Sequence, residues 1–244
     1  MLATLFRKEI AGFFSSLMGY IAMIVFLVVI GLFVWIFPDT NVMDYGYATL
    51  DTLFFYAPWV FMFLIPAITM RSFSEELRGG TIELLLTRPL GEMQIVLGKY
   101  LAALFLVVFT ILPTLVYYYS VSKLGAPAGN IDGGATAGSY IGLVMLAAAF
   151  TSAGIFASSL SRNQAVAFVV AVFLCFIAYN GFDSLSRLPF VEGRWDTLVQ
   201  NLGINQHYQS ISKGVVDTRD VLYFVSFSFI FLLATRLTLE SRKW

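Results

Sequence analysis

The sequence predicts an all-α polytopic membrane protein: six transmembrane helices preceded by an N-terminal amphipathic interfacial helix, with short outer-face helices between the fifth and sixth spans. Three observations lead there. Of 244 residues, 59% are hydrophobic and only 12% are charged, about half the charge that a water-facing surface usually carries. Six stretches each offer the roughly 20 mainly apolar residues that a helix needs to cross a bilayer. None of the six has an ionisable side chain near its middle, where a charge would cost about 2.5–3.5 kcal/mol on insertion. The same composition excludes several function classes. A formal net charge of zero leaves no basic face for nucleic acid. One cysteine, Cys175, and one histidine, His207, exclude an internal disulfide and any metal site built from several thiolates or imidazoles.

Residues 1–16 come first. Leu2, Leu5, Phe6, Ile10, Phe13 and Phe14 recur at helical spacing, while Thr4, Arg7, Lys8, Ala11 and Ser15 fall on other faces. That pattern fits a helix lying in the headgroup plane. Such a helix either orients the first span through its basic residues or joins that span to a partner, and the pattern leaves both open. The first span, 17–37, is too long for the apolar core of a signal peptide and no clean cleavage site follows it, so it is expected to be retained. The other spans are 52–70, 95–118, 139–160, 164–182 and 221–239. Pro58, Pro66 and Pro113 lie inside spans, where they kink a helix without ending it. Lys99 and Arg236 lie near span ends, where long side chains are expected to snorkel to the headgroups. Cys175 is mid-span and reads as a small packing residue. Thr69, Tyr179 and Asn180 are the few polar groups available to line a pathway.

Lys and Arg in the short loops set the orientation. With the N-terminus in the cytoplasm, ten of the fifteen basic residues fall inside and five outside, so both termini are expected to be cytoplasmic.

Segment 71–94 is the most informative loop. Ser72 and Glu75 have capping-box spacing, and Gly79-Gly80 can supply the left-handed residue that closes a helix. Thr81 can cap a second short helix with Glu83 in its first turn, where the dipole favours a carboxylate. Leu84, Leu85 and Leu86 give that helix an apolar surface and Pro89 stops it. The result is a hairpin that is either a capped loop between spans or a docking element.

The residues themselves then narrow the choice. The string Gly80-Thr81-Ile82-Glu83-Leu84-Leu85-Leu86-Thr87-Arg88-Pro89, followed by Gln94-Ile95-Val96-Leu97-Gly98-Lys99-Tyr100, resembles the signature of ABC type-2 exporter permeases. The six spans, the N-terminal helix and the turn Arg162-Asn163-Gln164 match as well, so the resemblance covers nearly the whole chain as a single transmembrane domain over 1–244. Gly91 departs from it, because many relatives place a Ser or Thr cap there. From Asn205 through Phe224 the sequence is similar to permease subunits of bacterial gliding-motility ABC systems. The resemblance implies that 71–94 is a cytoplasmic coupling hairpin touching an ATPase subunit. The implied contact residues are Glu75, Glu76, Arg78, Gly80, Thr81, Glu83, Arg88 and Pro89, with Arg7 and Lys8 of the N-terminal helix. It also implies an ABC ATPase dimer that holds ATP and Mg, and a second membrane subunit, a related protein or a second copy, with or without a large outer domain. The expected location is the bacterial inner membrane. This chain would bind no cofactor and catalyse nothing itself, and no Gly-x-x-x-x-Gly-Lys-Ser/Thr string is present to cradle phosphates.

The outer loop 183–220 carries two short amphipathic runs. Trp195, Leu198, Val199 and Leu202 repeat every three to four residues before Gly203, and 206–213 form a second run stopped by Gly214. The first is expected to bury its apolar face, in lipid, against the chain's own spans or against a partner's outer domain. His207, with no second ligand nearby, reads as a hydrogen-bonded structural residue. The turn 126–138 reads as flexible. Two other functions compete with the permease: a membrane scaffold that transmits force without passing a substrate, and an intramembrane enzyme. The enzyme is disfavoured because no Ser–His or Asp–Asp pair can be assembled within the spans.

Overall fold

The structure is a computed structural model that describes residues 2–44, 46–82, 91–188, 193 and 196–241; all regular elements among them are helical. Helix α1 (Leu2–Ser15) turns into α2 (Leu17–Trp35) through Ser16, whose backbone is extended, and the two axes differ by 68°. The corner depends on Gly19, because a Cβ there would lie 2.8 Å from the Phe13 carbonyl oxygen. Helix α3 (Asp51–Thr69) continues into α4 (Arg71–Gly79). Next come α5 (Glu92–Ile111), a 3-10 turn at Leu112–Thr114, and α6 (Leu115–Leu124). Then follow α7 (Gly133–Leu160) and α8 (Gln164–Phe176), which passes through a π-helical turn, Ile177–Gly181, into α9 (Phe182–Ser186). Two short helices, α10 (Asp196–Gln200) and α11 (Ile204–Ser212), precede the last, α12 (Thr218–Glu240).

Five of these runs are long and apolar enough to cross a membrane, and the bent pair α1–α2 supplies a sixth. The chain is a multi-pass membrane protein. Successive spans alternate in direction, so α1, α4, the start of α5 and the end of α12 share one end of the bundle. That is called here the N-terminal end, and the opposite one the far end.

Helix α7 forms the centre. Its small residues, among them Gly142, Ala149, Ala153, Gly154 and Ser158, are buried, and α3, α5, α8, α11 and α12 pack around it. Small side chains let helices approach where lipid offers no hydrophobic drive to associate. The closest approach is at Gly154, where a Cβ would lie 2.2 Å from Thr69 Oγ1. Helices α8 and α12 instead leave Val169, Phe173, Leu222, Val225 and Ile230 uncovered, as suits a lipid-facing wall.

Several expectations need correction. Ser72 is no cap: α3 runs through Met70 in right-handed geometry, giving a continuous rod, Asp51–Gly79, of 29 residues. Ser-x-x-Glu spacing occurs inside helices as readily as at their starts. Gly80 does close the helix, at φ 68°, and its N–H donates to the Glu76 carbonyl. The third span starts at Glu92, with Gly91 extended and making no side-chain cap, and Pro113 inserts one 3-10 turn before the helix resumes. Segment 126–138 is not one flexible turn, because Asp132 Oδ1 accepts from the N–H groups of Gly134 and Ala135 and starts α7 there. In segment 183–220, Leu198 and Leu202 are 57% and 58% exposed, so the chain's own spans do not cover this apolar face, and of the covers expected for it lipid and a partner are left; Trp195 lies outside the described residues. Helix α11 does pack inward: Ile204, Tyr208 and Ile211 are buried, and the Tyr208 hydroxyl donates to the Phe54 carbonyl at 2.8 Å.

Candidate functional site at the N-terminal end

Lys99 sits in the second turn of α5, and its side chain is 2% exposed. It does not snorkel. The Nζ donates to Glu9 Oε1 on α1 at 3.1 Å, to Glu76 Oε1 on α4 at 2.8 Å, and to the Ser72 carbonyl at 2.7 Å. It also lies 5.2 Å from the centre of the Phe73 ring, within cation–π range. One ammonium thus uses its three protons on three acceptors from two other helices. A charge this deep persists because it is both paired and hydrogen-bonded. Snorkelling fails because α1 and α4 close over the path to the surface and bring carboxylates to the lysine instead.

The packing around the lysine follows from α1's amphipathic pattern. Leu5 is buried against Gly98, where a Cβ would lie 2.8 Å from Leu5 Cδ2. Phe6 meets Phe105 edge-on at 6.0 Å, and Phe14 meets Phe109 at 5.5 Å. Helix α1 therefore lies along α5 with its apolar face inward. Leu5, Phe73, Leu77, Ile82, Ile95, Val96, Ile155 and Leu239 form a second core at this end, distinct from the main one.

Helix α4 is pinned on its other side by Ser158 of α7. The Ser158 hydroxyl donates to the Met70 carbonyl at 2.9 Å and accepts from the N–H groups of Phe73 at 3.0 Å and Ser74 at 3.2 Å. The Ser74 hydroxyl also donates to the Met70 carbonyl. The Ser158 hydroxyl thus satisfies backbone groups on both sides of the point where α3 passes into α4. Lys99 and Ser158 together clamp α4 between α5 and α7.

The residues expected to contact a partner form the outer skin of this clamp. Arg7 and Lys8 are exposed on α1, and Glu75, Arg78, Gly80 and Thr81 are exposed on α4 and just beyond it. Arg71 and Glu75 pair at 3.6 Å across one turn. Glu76 faces inward, to Lys99, and its Oε2 has no hydrogen-bond partner among the described residues. The Thr81 hydroxyl points back at the Glu76 carbonyl, 3.5 Å away. Glu83, Arg88, Pro89 and the second helix of the hairpin lie outside the described residues.

The family comparison bears on the same region. The family described as ABC-2 family transporter protein matches residues 3–186, three quarters of the chain, from α1 through α9. The chain belongs to the ABC-2 transporter family. It is accordingly a membrane permease subunit of an ABC transporter, a component that works with an ABC ATPase and is not itself the ATPase. No curated protein matches the chain.

The three polar residues considered for a pathway do not come together. Thr69, the last residue of α3, is fully buried toward the N-terminal end of the bundle, its hydroxyl donating to the Ile65 carbonyl at 2.9 Å. Tyr179 and Asn180 lie at the far end, on the wall of a cleft of about 540 Å³ shared with Trp59, Asn205 and Tyr208. His207, on α11 at the far end, is hydrogen-bonded on both nitrogens: Nδ1 to Asp220 Oδ1 at 2.6 Å and Nε2 to the Asn201 carbonyl at 2.9 Å. Its ring stacks on Tyr223 at 4.0 Å. Cys175 is fully buried.

Sequence reasoning missed Lys99 and Glu9 as site residues. One signal was present: Lys99 stands seven residues inside the helix that begins at Glu92, about 10 Å along the axis at 1.5 Å per residue. That is deep for a residue whose role is to reach the surface.

Proposed function

We propose that the Lys99 clamp is the element through which an ABC ATPase dimer, holding ATP and Mg, drives this permease. The carrying observation is that one buried ammonium joins α1, α4 and α5. A push on the exposed face of α1, at Arg7 and Lys8, or on α4, at Glu75 and Arg78, then moves the second and third spans as one body. A loose loop would absorb the same push. On this reading the N-terminal end is cytoplasmic, both termini with it, in the inner membrane of a bacterium. A second membrane subunit, a related protein or another copy, completes the core. The likeness of residues 205–224 to gliding-motility permeases supports that process as the setting. A force-transmitting scaffold that passes no cargo is the second reading, favoured by the separation of Thr69 from Tyr179 and Asn180. Any polar path through the membrane would then have to run between subunits.

Site-specific photocrosslinking in membranes containing the ATPase subunits tests the assignment. Crosslinkers replacing Arg7 and Arg78 should capture the ATPase, whereas one replacing Asn130, at the far end, should not. Capture from Asn130 alone, or from none of the three, would overturn the coupling surface and the orientation together.

A further inference from the structure

Two cavities at the flank of α3 share a wall. The first is a groove of about 810 Å³ between α2 and α3, lined by apolar side chains that include Val25, Phe63, Ala67 and, from α8, Phe168. The second is the far-end cleft of about 540 Å³. Phe55 and Trp59 line both. From Phe55 to Ala67 the groove follows twelve residues of helix, about 18 Å at 1.5 Å per residue. That is slightly more than one leaflet of a hydrocarbon core about 30 Å thick. An apolar trough one leaflet long therefore opens at its outer end into a polar chamber.

The chamber contains opposite charges that do not neutralise each other. Asp51, the first residue of α3, and Lys213, just past α11, both line it, and neither forms an ion pair among the described residues. Other polar groups there are already committed: the Tyr208 hydroxyl to the Phe54 carbonyl, the Ser139 hydroxyl to the Ser212 carbonyl, and Gln209 to Asn205. The Asp51 carboxylate, the Lys213 ammonium, the Asn180 amide and the Tyr179 hydroxyl line the space with no side-chain hydrogen bond among the described residues.

We infer that the cleft and groove together hold one zwitterionic glycerophospholipid, its headgroup between Asp51 and Lys213 and one acyl chain along α3. The lipid phosphate would meet the Lys213 ammonium, and the amine of a phosphatidylethanolamine would meet Asp51. Trp59 and Phe55 would sit at the glycerol level, where amphipathic aromatic rings concentrate in membranes. An anionic lipid satisfies Lys213 but leaves Asp51 facing a like charge, so the site selects headgroups by charge pattern. A helix from a second copy could fill the apolar groove, but it gives no reason for two unpaired opposite charges at the mouth. The inference does not depend on the coupling reading, since it concerns the other end of the bundle.

The test uses the full chain with Trp35, Trp195 and Trp244 changed to Phe, which leaves Trp59 as the sole tryptophan. It is reconstituted in vesicles of phosphatidylethanolamine and phosphatidylglycerol at equal mole fraction, with one or the other brominated on its acyl chains. Brominated phosphatidylethanolamine should quench Trp59 about fivefold more effectively than brominated phosphatidylglycerol, the scale of one partly exposed charge pair. Asp51→Asn with Lys213→Ala should bring the ratio to one. A ratio of one in the starting protein means ordinary surrounding lipid, and no quenching by either lipid means that another chain covers the groove; both overturn the site. Native mass spectrometry of the unaltered protein gives an independent reading that needs no tryptophan replacement. One retained phosphatidylethanolamine per chain, lost in the Asp51→Asn, Lys213→Ala variant, supports the site, and retention unchanged by that variant refutes it.

Discussion

Each end of the bundle ties a non-spanning helix to the spans through a charged group with limited access to solvent, but the two ties are built on different cations. At the N-terminal end, Lys99 holds α1 and α4 through two carboxylates and a carbonyl. At the far end, His207 of α11 is held by Asp220 of α12 and by the Asn201 carbonyl. A lysine ammonium supplies three donors at once. An imidazole with an acceptor at each nitrogen supplies both bonds only when each nitrogen bears a proton, unless Asp220 carries the second one. Asp220 also keeps one buried oxygen, Oδ2, without a partner among the described residues. The N-terminal tie thus uses three donors of one group and draws in three helices, while the far-end tie uses one bond at each imidazole nitrogen and draws in two. An end that transmits force gains from the first arrangement, whereas an end that admits a ligand beside α11 can work with the second.

The sharpest way to break this comparison is to remove Lys99. Lys99→Met leaves Glu9 and Glu76 facing each other with their partner gone, and a broken buried pair costs about 3–5 kcal/mol. Thermal unfolding in lipid nanodiscs should show a larger loss than a cut at the far-end tie or at Ser158. Replacing Glu9, Glu76 and Lys99 together with Leu should restore most of that loss, because apolar groups of similar size need no partner. A Lys99→Met variant that melts like the parent would show that the clamp contributes nothing to the N-terminal end.

The corresponding cut at the far end is His207→Phe, which keeps the stack on Tyr223 and removes both hydrogen bonds. Its expected cost is about 1.5–3 kcal/mol, the range for hydrogen bonds to charged groups. The same nanodisc melts would rank it below Lys99→Met. The reverse order would invert the comparison. Ser158→Ala comes next, at about 1–2 kcal/mol, for the buried groups of Met70, Phe73 and Ser74 that lose their shared partner. Its distinguishing readout is hydrogen exchange: the amides of Phe73 and Ser74 should lose protection while those of α11 keep theirs.

The spans were legible because hydropathy and helical length act locally, and each apolar run carries its own reason to be a helix. So was the inward face of α1, since Leu5, Phe6, Phe13 and Phe14 repeat at the right interval. The clamp was not legible. Glu9 and Lys99 are 90 positions apart, and Glu76 and Lys99 are 23 apart, and no periodicity links them. Ser72 misled because the capping-box spacing is also a helix-interior spacing, and only the path of α3 through Met70 decides between them. His207 could be read as a hydrogen-bonded residue from its isolation, but its partner Asp220 reads in the sequence as one more loop charge. The cleft beside Asn180 was half visible. Tyr179 and Asn180 stood out as polar groups in a span, yet Asp51 and Lys213 join them only once α11 folds onto α3.

The smallest expected effect concerns how α12 begins. Asp217 caps this helix, its Oδ1 accepting from the Arg219 N–H at 2.9 Å. That backbone hydrogen bond is the main reason its carboxyl is held below the usual carboxylate range. The cap stands one turn before Asp220, so it helps to set the far-end tie. Because the folded form binds its proton less readily than the unfolded chain does, the cap adds stability at neutral pH. That contribution fades as acid takes the carboxylate through its ordinary value of about 3.9 and then through its lowered one. Asp217→Asn keeps a capping oxygen of comparable strength but cannot titrate. The parent and the variant should therefore melt together at about pH 7. Below about pH 4 the parent should lose the cap's contribution and the variant should keep it. Subtracting one melting curve from the other cancels the remaining carboxylates, which both chains share. A difference that stays flat from neutral to acid pH would show that α12 starts equally well without the charge, and the far-end tie would then rest on His207 and Asp220 alone.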